Sequence, residues 1–308
     1  MNETLTCSFL DIDLDQTIET QTANFATCVL NSMFSLITIT GNFIILNAIW
    51  KNRELHSPSF VLLFFLALSD LLVGLICQPS FVAFKIAELR RDFSCYCISR
   101  MIQSISGWTT SGVSLLTLSA VSLDRLLSLT LHLRYNTIVT VPRAFVACVF
   151  LWFFAVTVMM LRFTMTNWII LPLIILLTTF LVTALSTLKI FMIVRKHLCQ
   201  IKQLQRNLNT SQTETAQVLK CRKSAVTVLY VYGLFWIFYV PFCVTMLMDS
   251  AEGYTLTVKI VYDYVGTIVF LNSFFNPIVY CWRIREIRNA VKSLLRKRVL
   301  LENNTRGK

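Results

Sequence analysis

The sequence predicts an all-α membrane protein, a seven-transmembrane helix bundle followed by a short amphipathic helix. Three observations predict it. Of 308 residues, 56% are hydrophobic and only 14% charged, too little polar character to cover a soluble domain of that length. The apolar residues fall in long blocks, each sufficient for the roughly 20 helical residues that cross about 30 Å of hydrocarbon. The basic residues, which give a formal net charge of +12, sit in alternate connections between the blocks.

Taken in order, residues 1–24 form an extracellular segment carrying Glu3, Asp11, Asp13, Asp15 and Glu19 without Lys or Arg. The apolar blocks place spans at 25–50, 57–85, 97–128, 142–162, 167–195, 220–249 and 257–282, so residues 25–282 make one bundle without internal repeat or linker. Lys51 and Arg53 follow span 1, Arg134 and Arg143 follow span 3, and Arg195, Lys196, Lys202, Arg206, Lys220, Arg222 and Lys223 lie between spans 5 and 6. Positive connections stay cytoplasmic, which puts the N-terminus outside and the C-terminus inside, at the plasma membrane. Such juxtamembrane charges suit anionic lipid headgroups and argue against nucleic acid as a partner. Residues 283–308 form a cytoplasmic helix and tail; Trp282, Ile284, Ile287, Val291, Leu294 and Leu295 recur at helical spacing, opposite Arg285, Arg288, Lys292 and Arg296. The acidic N-terminus does not read as a cleavable signal, and span 1 serves as its own anchor.

Asn2-Glu3-Thr4 is a glycosylation sequon on the outer side. Cys7, Cys95 and Cys97 face the oxidising exterior. Cys95 and Cys97 are too close in sequence to bridge each other comfortably, and a bridge from Cys7 to one of them is a candidate disulfide. The other cysteines lie mostly in apolar spans as small packing residues.

An ionisable residue inside hydrocarbon is costly and points to function. Asp70 lies within span 2, and Asn272, Ser273 and Asn276 of span 7, Ser114 of span 3 and Asn42 of span 1 are its polar counterparts at similar depth. Hard oxygens around one carboxylate suit a small cation such as sodium; the competing reading is a protonated, hydrogen-bonded Asp70. No other cofactor is indicated. Ser114 and Arg125 are separated by about three helical turns, roughly 16 Å, so one face of span 3 joins the midplane to the Asp124-Arg125 pair at its inner end. Pro79, Pro172, Pro241 and Pro277 interrupt apolar spans, where proline removes a backbone bond and kinks the helix. Pro277, beside the polar cluster, is a natural hinge.

Together these residues resemble the rhodopsin-like (class A) G-protein-coupled receptors over nearly the whole chain. Gly41-Asn42, Leu66-Ala67-Leu68-Ser69-Asp70 and Asp124-Arg125-Leu126 resemble the family's signatures in spans 1 to 3. Phe235 with Tyr239-Val240-Pro241-Phe242 resembles its span 6 motif, with Tyr239 replacing Trp, and Asn276-Pro277-Ile278-Val279-Tyr280 matches that of span 7. Arg283 onward resembles helix 8. The resemblance implies a sodium pocket of Asp70, Ser114, Asn272, Ser273 and Asn276. It also implies a switch comprising Asp124, Arg125, Phe235, Tyr239, Pro241, Asn276, Pro277 and Tyr280. The implied partners are a heterotrimeric G protein, arrestin and an extracellular ligand, and the implied role is not enzymatic. The three histidines, His56, His132 and His197, lie at cytoplasmic span ends, away from any cluster a membrane metal hydrolase would need.

Departures from the pattern narrow these expectations. Arg100 stands where a cysteine usually bridges to the second extracellular loop, and that loop, 163–166, has almost no length. This resembles the melanocortin, cannabinoid, lysophospholipid and adenosine receptors. Gly107 replaces the aspartate of amine receptors, Phe270 the retinal lysine, and Met246 the adenosine-binding asparagine. Ser80, Arg100 and Ser104 replace the melanocortin acids. The expected ligand pocket is Trp108, Ser111, Tyr239, Phe242, Cys243, Met246, Tyr262 and Phe270. That lining is apolar and aromatic, suiting a non-amine, lipid-like or weakly polar ligand. Cys221 replaces the acidic clamp of span 6, which predicts a weakly locked resting state. Two alternatives stand beside the receptor reading. A transporter or channel is favoured only by the polar midplane, and a receptor-like protein that no longer couples is favoured by Leu126 and Thr187.

Overall fold

A computed structural model describes residues 5–7, 10–12, 17–131, 134–165, 168, 170–207, 233 and 236–306. Asn2, Phe235 and Cys221 lie outside the described residues. Apart from a hairpin of β1 (Leu5–Cys7) and β2 (Leu10–Ile12), paired antiparallel with Thr6 opposite Asp11, the described elements are helical. The spans are α1 (Ile18–Lys51), α2 (Pro58–Leu72) continued by α3 (Gln78–Arg90), α4 (Phe93–Leu131), α6 (Val141–Met160), α7 (Ile170–Asn207), α8 (236–252) and α9 (Leu256–Arg283). A short α5 (Tyr135–Ile138) follows α4, and α10 (Arg285–Arg306) follows α9.

Among the described residues, six helices are long and apolar enough to cross a membrane; much of the expected 220–249 span lies outside the described residues. Hydropathy marks only the part of a helix that meets hydrocarbon, so several spans extend beyond their expected bounds. α1 begins at Ile18 rather than 25 because Thr17 and Thr20 form a capping box, Thr20 N–H donating to Thr17 Oγ1 at 3.2 Å and Thr17 N–H to Thr20 Oγ1 at 2.9 Å. The segment 1–24 therefore holds a hairpin and the first turns of a helix. α7 runs to Asn207, well past residue 195.

The four span prolines divide into two kinds. Pro172 occupies the first turn of α7, where the missing N–H was never needed, so the expected kink is absent there. Pro79 follows a π-helical turn, Val73–Cys77, that joins α2 to α3. The wider turn absorbs the register break, and the Gly74 carbonyl accepts from Ser35 Oγ at 2.8 Å. Gly74 is required here: a Cβ would stand 2.9 Å from Ile39 Cγ1 and 3.2 Å from the Ile39 backbone nitrogen, so α1 and the bulge approach without side-chain bulk between them. Pro241 and Pro277 lie within helices.

Large apolar side chains face outward, including Phe145, Val149 and Phe153 on α6 and Leu177, Leu181 and Leu188 on α7. That is the distribution expected when lipid is the solvent. The interior mixes Leu66, Leu118, Met246 and Tyr280 with buried Asn42, Asp70 and Asn276. α10 turns off after Ile284 and buries Ile287 and Ala290 in the same core, with Val291 and Leu294 packed beside them. Leu295 and Trp282 remain exposed.

Candidate functional site

Asp70 is fully buried, and both carboxylate oxygens are engaged from α9: Ser273 Oγ donates to Oδ1 at 2.7 Å and Asn276 Nδ2 to Oδ2 at 2.8 Å. Ser273 and Asn276 are one helical turn apart, so a single face of α9 reaches both oxygens. The Ser114 hydroxyl bonds Ser69 Oγ, on the residue preceding Asp70, at 3.0 Å. Asn272 is buried on α9 beside the Tyr239 hydroxyl. No Lys or Arg among the described residues pairs with Asp70.

The same cluster repairs the break made by Pro277. Proline has no N–H, so the carbonyl four residues earlier, that of Ser273, loses its helical donor. Asn42 Nδ2 supplies a replacement at 3.0 Å, while also bonding Thr38 O at 2.9 Å. Gly41 makes the approach possible, since a Cβ there would lie 3.2 Å from Pro277 Cγ. The adjacent Gly41 and Asn42 therefore act on the same point of α9, one by lacking bulk and the other by donating. Asn42 Oδ1 is buried without a partner among the described residues.

At the far end of α4, Asp124 is 4% exposed and receives three donors. Tyr135 Oη bonds Oδ1 at 2.5 Å, Ser59 Oγ bonds Oδ2 at 2.7 Å, and Arg125 Nη2 lies 3.6 Å from Oδ2. Burial first, then the bond to Asp124, hold the Tyr135 phenol above its ordinary range, so it stays a donor at neutral pH. Tyr280 is buried in the core on α9. Thr187 Oγ1 is buried without a hydrogen-bond partner among the described residues.

Toward the opposite end lies a cavity of about 290 Å3. Of the residues named for a ligand pocket, Trp108, Ser111, Tyr239, Phe242, Tyr262 and Phe270 border it. Cys243 and Met246 do not; both are packed in the apolar core. Aromatic rings form one continuous wall, Trp168 against Trp108 at 4.8 Å, Trp108 against Phe242 at 5.4 Å and Phe242 against Tyr262 at 6.0 Å. The lining is more polar than its helical positions suggested, because Arg100, Arg162, Asp249 and Asp263 also border it. The hairpin is fastened at this end: Cys7 is bridged to Cys97, with Cα atoms 5.7 Å apart, and Cys95 is free and exposed.

Behind the cavity is a buried ionic chain that sequence reasoning missed. Lys85 Nζ lies 2.5 Å from Asp263 Oδ2 and 3.1 Å from Glu88 Oε2, and Lys259 Nζ lies 2.6 Å from Glu88 Oε1. All four side chains are at most 8% exposed. Their spacing was the available signal: Lys85 and Glu88 are one turn apart in span 2, and Lys259 and Asp263 one turn apart in span 7. Two helices thus carry complementary pairs where hydrocarbon would penalise either alone.

With this geometry in place, a family description matches the chain: the model described as 7 transmembrane receptor (rhodopsin family) covers residues 41–280.

Proposed function

Because the chain belongs to the seven-transmembrane receptors of the rhodopsin family, we propose that it is a cell-surface receptor that passes binding of an extracellular, non-amine ligand to a heterotrimeric G protein. The observation that carries this reading is the alignment of three sites along the bundle. A cavity opens near the Cys7–Cys97 bridge, its Tyr239 and Phe270 walls sit above the Asp70 cluster, and Pro277 and Tyr280 lead toward the Asp124-Arg125 end. A ligand that binds one bundle arrangement better than another shifts the population by that difference. The N-terminus then faces the exterior, where a disulfide persists and Asn2 is available for glycosylation. The basic α10 lies on the inner leaflet, and arrestin shares the inner surface.

Sodium is the ion this interior suits. Asp70 would supply the charge, and the oxygens of Ser114, Asn272, Ser273 and Asn276 the neutral ligands. A fully buried carboxylate lacking a basic partner among the described residues favours a cation nearby.

The decisive assay is nucleotide exchange on purified G proteins by the reconstituted chain, across G-protein classes, with and without lipid extracts. Exchange that depends on Arg125 and is lost in Arg125→Ala supports the receptor reading. Absence of exchange under every condition, with the protein folded and at the surface, favours a receptor-like protein that does not couple.

A further inference from the structure

We propose that the seam between α1 and α9 holds a file of buried water molecules that links the outer surface to the Asp70 cluster by a path separate from the ligand cavity. The inference goes beyond the receptor reading and does not depend on it. The buried face of α1 is polar from its outer end to the midplane: Asn24, Thr27, Asn31, Ser35, Thr38 and Asn42 are each at most 8% exposed. Much of that polarity is unmet. Both polar side-chain atoms of Asn24, Oδ1 of Asn31, Oγ1 of Thr38 and Oδ1 of Asn42 are buried without a hydrogen-bond partner among the described residues. A buried amide left unmet is costly, whereas a buried water, which makes about three hydrogen bonds, satisfies such groups. Successive members of the row are three or four residues apart, a rise of about 4.5–6 Å. One water, with hydrogen bonds of about 2.8 Å on either side, spans that step.

The row has two defined ends. Asn31 Nδ2 bonds Thr267 Oγ1 at 2.9 Å and Gly41 faces the Pro277 ring, a register that sets Asn24 level with the α9 turn of Lys259 and Asp263. Cys28, one turn further along α1, lies within electrostatic reach of Lys85, Asp263 and Glu88. The outer end is therefore the buried ionic chain, and Lys259 is one turn into α9 from its exposed N-cap, Thr255. At the inner end Asn42 Nδ2 reaches the Ser273 carbonyl at 3.0 Å, and Ser273 Oγ donates to Asp70 Oδ1 at 2.7 Å. The cavity borders α9 on the neighbouring face, that of Tyr262, Gly266 and Val269.

The test is hydroxyl-radical footprinting of the full chain in phosphatidylcholine nanodiscs, after rapid mixing with water labelled with heavy oxygen. An X-ray pulse makes radicals from water in place, so side chains that touch water take up the label. Phe34 and Phe274, whose rings meet across α1 and α9 at 5.0 Å, flank the row and are the reporters. Cys148, fully buried on α6 and intrinsically easier to oxidise, is the dry control. The expected result is label on both rings and none on Cys148. Asn24→Leu and Asn31→Leu should reduce the ring label to background, while Asn24→Ser and Asn31→Ser, which keep a polar seat, should retain it. Gly266→Leu projects into the cavity, since a Cβ there meets nothing within 4 Å, and should leave the ring label unchanged. Thr38→Val exchanges a hydroxyl for a methyl at the same shape; it should lower the Phe274 label and serves if the Leu variants do not fold. The proposal is overturned if both rings stay as unlabelled as Cys148 in the parent, or if the label survives the Leu replacements or Thr38→Val. It is also overturned if Gly266→Leu removes the label, which would make the cavity the source of the water.

Discussion

Tyr135 Oη and Arg125 Nη2 share one carboxylate, that of Asp124, and Tyr135 holds the shorter contact, 2.5 Å against 3.6 Å. With Ser59 also on Oδ2, the carboxylate that should restrain Arg125 at rest is largely committed to others. Tyr135→Phe should free it for Arg125 and lower ligand-independent nucleotide exchange about threefold, what roughly 0.7 kcal/mol gives. Asp124→Asn should raise it. Measurement at matched surface expression decides; equal output in Tyr135→Phe and parent would show that the tyrosine contact does not govern Arg125.

Asn42 should stabilise the bundle chiefly through the Ser273 carbonyl. Asn42→Ala leaves that buried acceptor unmet, at a cost of about 1–3 kcal/mol, and should lower the unfolding midpoint. In Pro277→Ala the helix regains its own donor, so the same Asn42→Ala change should cost distinctly less. A double-mutant cycle by thermal melting reads the coupling, and strictly additive costs would refute it.

Gly74 and Gly112 make a contrasting pair. Gly74→Ala forces a Cβ against Ile39 and should destabilise by about 1–3 kcal/mol, the usual range for overpacking. At Gly112 the nearest atom to a new Cβ is Ala155 Cβ at 3.7 Å, an ordinary contact, and helix propensity favours alanine. Gly112→Ala should therefore melt at or above the parent. If both variants melt alike, the close approach of α1 to the π turn is not limiting.

Glu88 joins two lysines. Glu88→Gln removes the carboxylate that Lys85 and Lys259 share, leaving Lys85 with Asp263, and should cost about 3–5 kcal/mol, seen as loss of folded protein at the surface. Combining it with Lys259→Gln restores the charge balance of the chain and should recover part of that loss. Recovery in surface expression is the readout; a double variant worse than the single would mean that the chain does not act as a charge-balanced unit.

Asp70→Asn keeps the shape of the midplane cluster and removes its charge. The parent should melt at higher temperature in sodium than in potassium at equal ionic strength, and the variant should not distinguish the two. A variant that retains the sodium response places the ion elsewhere.

Much of this arrangement was legible in the sequence because its signals are periodic or covalent. Apolar block length marks the spans, and the polar residues of span 7 mark the counterparts of Asp70, although Ser273 rather than Asn272 joins Asn276 on its carboxylate. Other features depend on rotations and depths that no single-helix pattern reports. Ser114 bonds Ser69 rather than Asp70, a choice of neighbour set by how spans 2 and 3 are rotated against each other. Cys97 rather than Cys95 takes Cys7 because of which face of α4 meets the hairpin. Arg162 was read as a span end and Lys85 as a boundary residue, so neither the polarity of the cavity nor the ionic chain emerged until two helices were seen side by side.

α1 and α9 are keyed together at three levels: Asn31 Nδ2 on Thr267 Oγ1 at 2.9 Å, Asn42 Nδ2 on Ser273 O at 3.0 Å, and Gly41 against the Pro277 ring. Sliding α9 along its own axis by even one residue would break both bonds and drive the ring into a side chain. Rotation about the seam disturbs them far less. The α1–α9 seam therefore resists sliding more than twisting, so any movement of α9 against α1 is expected to be torsional rather than piston-like.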